Sequence, residues 1–177
     1  MNQKETEPKH EMTSKDVTDL YSKLDNLGIK IWIDGGWGVD ALLGKHSRTH
    51  KDLDIAINQK DVPGLLKFLE EEGFREIRKD NEHNVVLADE TGREIDYHAF
   101  ITDDTGHIVG GIAYPDESLT GTGNIEGQGV RCISPEYMIK FHSGYKLKDK
   151  DFQDVSAICE KFGIEISKEY DRFKKTE

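Results

Sequence analysis

Between Asp52 and Ile57 the chain reads Asp-Leu-Asp-Ile-Ala-Ile, and this stretch leaves little freedom. The alternation puts Leu53, Ile55 and Ile57 on one face of a strand and Asp52 and Asp54 on the other. One face must pack on a core, while two carboxylates project together from the opposite side. Like charges that close repel unless a cation lies between them. Hard oxygen donors suit magnesium, which takes one or two protein carboxylates and leaves the rest of its shell to water and substrate phosphates. Alone, such a pair in an acidic chain is more often a solvated strand edge.

The segments upstream change that balance. Val17, Leu20, Tyr21, Leu24 and Leu27 step by three and four behind Thr13 or Ser14, a helix that Gly28 ends. Ile29–Ile33 is short, β-branched and aromatic, as a buried strand is. Gly35 and Gly36 break it, and Trp37–Leu43 makes a short helix closed by Gly44. Backbone amides without side chains at a helix start can approach a phosphate, and the helix dipole favours the anion. A glycine pair, a short helix and then paired acids on the next strand bring a phosphate cradle and a metal pair to one end of neighbouring strands.

A third carboxylate is expected from another strand. In Arg93-Glu94-Ile95-Asp96-Tyr97-His98, the residues Ile95, Tyr97 and Ala99 make a buried face, while Glu94, Asp96 and His98 share the other. Asp96 is the best candidate to complete the metal site and to take a proton from an attacking hydroxyl. The remaining pattern is a helix from Asp61 to Gly73, a weak strand at Phe74–Ile77, a hairpin turning at Glu90-Thr91-Gly92, and a glycine-rich stretch from Asp103 to Gly129, read as irregular hairpins over the sheet. Helices over Pro135–Lys146 and Asp149–Phe162 precede a charged tail. The fold class is mixed α/β (α+β), a mixed sheet flanked by helices with helices at the C-terminal end. Residues 1–12 read as a frayed tail, 13–133 as the core and 134–177 as a helical segment packed on it.

Composition narrows the partners. Of 177 residues, 24 are Lys or Arg and 35 are Asp or Glu, a net charge of -11. Nucleic-acid backbones and anionic membranes need a basic face and are disfavoured, whereas a neutral or cationic small ligand is accommodated. No GxGxxG follows the first strand and no GxxxxGK[ST] occurs. Two distant cysteines and no apolar leader or span point to a reducing, cytoplasmic setting. Self-pairing into a homodimer stays open.

Trp32-Ile33-Asp34-Gly35-Gly36-Trp37-Gly38-Val39-Asp40, followed by Arg48-Thr49-His50-Lys51-Asp52-Leu53-Asp54-Ile55, resembles the signature of the small antibiotic nucleotidyltransferases of the DNA polymerase beta superfamily. The lincosamide enzymes are most similar, the aminoglycoside 2''-enzymes next. Ile95-Asp96-Tyr97-His98 falls where that family has its third acid. Cys132-Ile133-Ser134-Pro135-Glu136 and Phe141-His142-Ser143-Gly144-Tyr145 resemble its C-terminal helical segment.

The resemblance implies a nucleotidyltransferase fold and magnesium-dependent transfer of a nucleoside monophosphate from a nucleoside triphosphate such as ATP to a hydroxyl of a small antibiotic, foremost a lincosamide. An aminoglycoside, a non-antibiotic acceptor and a non-catalytic nucleotide-binding module are the alternatives. Asp52, Asp54 and Asp96 match the ligands of two magnesium ions, with Asp96 also the general base. Gly35 and Gly36 match the triphosphate loop. Arg48 would neutralise phosphate charge through its bidentate fork, and Lys146, within the run Lys146, Lys148 and Lys150, would reach the triphosphate. His50 and His98 are either ligand contacts or packing residues, and Asp40 is a structural cap or surface acid.

Overall fold

The computed structural model of the chain describes residues 10–143 and 147–174. Its first helix, α1 (Ser14–Asn26), starts at a capping box in which Thr13 and Asp16 satisfy each other's backbone amides. Val17, Leu20, Tyr21 and Leu24 bury its inner face. Strand β1 (Ile31–Ile33) leads into α2 (Gly35–Leu43), and β2 (Asp52–Asn58) returns beside β1. Helix α3 (Val62–Glu71) joins β2 to the meander β3 (Arg75–Asn81), β4 (Asn84–Ala88) and β5 (Glu94–Thr102). Strands β6 (Ile108–Gly111), β7 (Gly121–Ile125) and β8 (Gln128–Cys132) precede α4 (Pro135–Phe141) and α5 (Asp149–Phe162).

The strands form one mixed sheet in the order β3-β4-β5-β2-β1-β8-β7, with β6 added on β5. Strand β2 runs parallel to β5 in unbroken register from Asp52 opposite Glu94 to Asn58 opposite Phe100. It runs antiparallel to β1, with Ile33 opposite Ile55. Leu53, Ile55 and Ile57 are buried, as the alternation requires, and so are Ile95, Tyr97 and Ala99 of β5.

The sequence reading differs from the structure in several places, and the helix read over Pro135–Lys146 ends at Phe141. The glycine-rich stretch does not lie over the sheet. Its strands extend the sheet, β6 pairing with β5 and β7 with β8, because β-bridges satisfy a backbone that few side chains shield. Gly35 and Gly36 are the first residues of α2 rather than a loop before it, since Asp34 caps the helix with its own carboxylate on the Gly35 amide at 2.8 Å. Of the residues read as a frayed tail, Met12 is fully buried and donates its amide to the His50 carbonyl at 2.9 Å. Beyond Phe162, a 3-10 turn at Lys168–Phe173 buries Tyr170.

Helix α2 fixes where the site forms. Trp37, Val39, Ala41 and Leu42 bury it, and glycines let it sit directly on backbone. A Cβ on Gly123 of β7 would lie 2.4 Å from the Ala41 carbonyl oxygen, and one on Gly38 would lie 2.9 Å from that of Ile33. The close seating aims the N-terminal end of α2 at the start of β2. Gly123→Ala must therefore push helix and strand apart and is expected to cost about 1–3 kcal/mol of stability. Gly129→Ala, with open space at its Cβ, is expected to stay within about 0.5 kcal/mol of the parent. Urea denaturation of the two variants measures the contrast.

Candidate active site

The N-terminal end of α2 and the first residues of β2 open into a cleft of about 570 Å³, closed on its far side by α4 and α5. Asp52, Asp54, Gly35, Gly36 and Arg48 all line it. The parallel register sets Asp54 of β2 directly opposite Asp96 of β5. Asp96 lies beside the cleft rather than on its wall, with carboxylate oxygens of both acids and a ring nitrogen of His98 within 4.8 Å of one another. Asp52 stands outside this tight group. It is two residues up the strand from Asp54, about 6.6 Å along it, and faces the same cleft.

Each acid is held differently. The Asp54 carboxylate fills the space where a Gly35 side chain would be, with Oδ2 2.1 Å from an ideal Cβ there, and Gly35 itself has φ +56°. Both facts demand glycine at that position. Burial raises the Asp54 pKa to about 6, and Asp52, Asp34 and Asp96 add to the rise, against a lowering contribution from His98. Asp96 accepts a hydrogen bond from Asn84 Nδ2 at 2.5 Å and has Arg78 Nη2 at 3.8 Å. Burial also raises its pKa, although His98, Asn84 and Arg78 oppose that.

His98 Nε2 lies 3.4 Å from Asp96 Oδ1 and 3.9 Å from Asp54 Oδ1. Burial lowers its pKa, but the two carboxylates outweigh burial and hold it above the ordinary value. When protonated, His98 is the internal counter-ion of the pair. Oxygen donors from two adjacent strands, one of them forced into a state where its charge is costly, fit a hard divalent cation.

The opposite wall was largely illegible in the sequence. Asp154 of α5, 6% exposed at its side chain, receives Arg48 Nη2 at 2.9 Å and lies 3.7 Å from His142 Nε2. Arg48 thus faces the cleft as expected but is paired across it with an acid from the C-terminal segment. Of the basic run, Lys150 lines the cleft, whereas Lys146 falls outside the described residues. Asp34 also lines it, accepting a hydrogen bond from the Tyr114 hydroxyl at 2.8 Å. Asp40 is no surface acid: it is 2% exposed and bound to His50 and Ser47. A cap residue at Asp34 was readable from its place before Gly-Gly, but no pattern announced Asp154.

The class of protein is shown by likeness to known proteins, which are antibiotic adenylyltransferases. A family model described as Aminoglycoside-2''-adenylyltransferase matches residues 16–158, and the chain belongs to that family. The lincosamide resistance protein of Staphylococcus haemolyticus is 28% identical over 153 residues, 83% of this chain and 94% of that protein. The lincomycin-bound lincosamide adenylyltransferase LnuA superposes with a TM-score of 0.76 at 27% identity, over 84% of this chain and 98% of the other. ANT(2'')-Ia, in complex with adenylyl-2''-tobramycin, shares the fold with a TM-score of 0.72 at 21% identity, covering 85% of this chain and 89% of that one. Among the described residues no helix is long and apolar enough to cross a membrane.

The raised Asp54 pKa has a measurable consequence in the metal-free protein. A carboxyl whose folded pKa lies above its unfolded one destabilises the fold once both states ionise. The penalty is absent below about pH 4, grows towards pH 6 and is complete above it. Asp54→Asn is expected to stabilise the chelator-treated protein by about 1–3 kcal/mol at pH 7, and the gain should vanish near pH 3.5. Thermal melting across that range tests it, and a gain independent of pH would contradict the assignment.

Proposed function

We propose that the chain transfers a nucleoside monophosphate from a nucleoside triphosphate to a hydroxyl of an antibiotic, with magnesium as the metal and a lincosamide as the acceptor. The observation that carries this reading is the placing of Asp54 and Asp96 opposite each other against the glycine-led end of α2. The family match and the lincosamide relatives support the reaction class and the acceptor. Residues 13–133 would form the catalytic core, and 134–177 the segment that walls the cleft.

Asp52 and Asp54 would hold the metal, with Asp96 sharing a second ion. Bound there, magnesium would neutralise triphosphate charge and make the acceptor hydroxyl easier to deprotonate. The work of the chain's own residues is position and charge. Gly35 and Gly36 keep side chains away from the start of α2 where the triphosphate would lie, the Gly35 amide itself being held by Asp34, and Arg48 adds a planar cation beside them. Asp96, with Asn84 fixing its orientation, takes the hydroxyl proton as the acceptor oxygen bonds to the α-phosphorus. The bond from that phosphorus to pyrophosphate breaks in line, and pyrophosphate leaves. An aminoglycoside acceptor is the second reading, favoured by the family model itself and by an acidic chain that suits a polycation.

Incubation with magnesium, each of the four nucleoside triphosphates and a panel of lincosamides and aminoglycosides, read by mass for a nucleotide adduct, tests the reaction and the acceptor together. Asp52→Asn, Asp54→Asn and Asp96→Asn are each expected to remove nearly all adduct formation and pyrophosphate release, and EDTA should do the same to the parent. An Asp96→Asn protein with parental rates would eliminate Asp96 as the base. Triphosphate binding without any adduct would point instead to a nucleotide-binding module.

A further inference from the structure

A second cluster of titratable groups backs the cleft wall and reaches it through His50. Asp40 of α2, His46 and His50 bring one carboxylate oxygen and two ring nitrogens within 4.8 Å of one another. The hydrogen bonds around His50 decide what this cluster does. Its Nε2 lies 2.7 Å from Asp40 Oδ2, and its Nδ1 lies 3.2 Å from Arg48 Nη1. A guanidinium has donors and no acceptor, so Nδ1 must accept and Nε2 must carry the proton towards Asp40. A ring with Nε2 protonated and Nδ1 occupied has no lone pair left for a metal. The cluster is a hydrogen-bonded chain running from Asp40 through His50 to Arg48.

Burial makes that chain stiff. Asp40 is 2% exposed and His50 4%, Ser47 donates its hydroxyl to the other Asp40 oxygen, and Trp37 lies against both His46 and His50 with ring centroids 5.1 and 4.8 Å away. The His50 carbonyl is pinned by the Met12 amide. A Cβ on Gly36 would meet His50 Nδ1 at 2.4 Å and Arg48 Nη2 at 3.2 Å, so the ring and the guanidinium lie flat against the glycine that begins α2. The Arg48 Nε is buried and has no partner among the described residues. Arg48 also lines the cleft, so its guanidinium stands at the end of α2 where an anion is best received.

We propose that Asp40 and His50 are positioning residues, which lock the guanidinium of Arg48 at the N-terminal end of α2 so that it receives the triphosphate. This rests on the nucleotidyl-transfer reading for the identity of the anion. Asp40 fixes the tautomer of His50, and the tautomer gives Arg48 a second acceptor beside Asp154. Neither residue needs to touch nucleotide or acceptor for its loss to weaken nucleotide binding.

Two substitutions split the His50 ring into its halves. His50→Gln carries an amide to the Nε2 position, so it keeps a donor for Asp40 and loses the acceptor for Arg48. His50→Asn places its carbonyl near the Nδ1 position, so it keeps the acceptor for Arg48 and abandons Asp40. His50→Asn should therefore be the less stable variant in thermal melting, because a buried carboxylate loses a partner.

Nucleotide affinity should rank the other way. Calorimetry with magnesium and whichever of the four triphosphates the parent binds most tightly is expected to show His50→Gln weakened about tenfold or more, the usual weight of a hydrogen bond to a charged group. His50→Asn should stay within about threefold. In an Arg48→Ala background, His50→Gln should cause no further loss, since coupled residues are not additive. A merely structural role would make affinity follow stability, and that ranking, equal weakening by both variants, or an unaffected His50→Gln would each overturn the proposal. If the parent binds a triphosphate but forms no adduct with any acceptor, the transfer reading fails while this binding series still decides the positioning role. A parent that binds none of the four overturns both.

Discussion

The parallel pairing of β2 with β5 is the constraint on which the rest depends. Its register sets Asp54 against Asp96 and, two rungs further on, Ala56 against His98. Because side chains alternate across a sheet, a slip of one residue would turn Asp96 into the core and expose Ile95 and Tyr97. Register and burial therefore enforce each other. The apolar residues between the acids keep the strands from sliding, and the strands in turn keep the acids face to face. Helix α2 depends on the same frame, since its N-terminal glycine abuts the Asp54 carboxylate and its middle rests on β1 and β7.

The arrangement is expensive in electrostatic terms. Asp34, Asp52, Asp54 and Asp96 crowd one end of three neighbouring strands in a chain that is already net negative. The fold offsets part of this internally: His98 lies between two carboxylates, Asn84 and Arg78 serve Asp96, and the Tyr114 hydroxyl serves Asp34. For Asp54 the help of His98 does not outweigh burial, which leaves its proton held to about pH 6. Sites that trade stability for a charge pattern in this way are where a ligand's own charge completes the balance. Asp154, an acid on the helical side, is already paired with Arg48 across the cleft, unlike the acids on the sheet side.

How far the sequence could be read followed how local each determinant was. The alternation at Asp52–Ile57 and at Glu94–Phe100, the cap at Thr13 and the start of α4 at Pro135 are decided by neighbours within a few positions, and they stand where the pattern put them. The glycine-rich stretch failed because glycine carries no side-chain period to announce the local pairings of β6 with β5 and of β7 with β8, and because the bridge that joins β8 to the sheet is made with β1, far earlier in the chain. Met12 and Tyr170 failed for a related reason: a single apolar residue in a charged segment has no periodicity, yet one is enough to anchor the segment. Within the site, Asp52, Asp54, Asp96, Gly35, Gly36 and Arg48 were legible through spacing and resemblance. Asp154 was not, because an acid on an amphipathic helix looks the same whether it meets solvent or, as here, an arginine more than 100 positions earlier.

The two glycines that open α2 have a bearing on how such a protein can diversify. Any side chain at either position collides with Asp54 or with His50, so the end of the cleft that faces the sheet is closed to gradual change. The wall built from α4 and α5 carries no comparable restriction, since its contribution consists of side chains on helices rather than bare backbone. Variation in the shape of the cleft would then accumulate in that wall, while the sheet end stays nearly invariant.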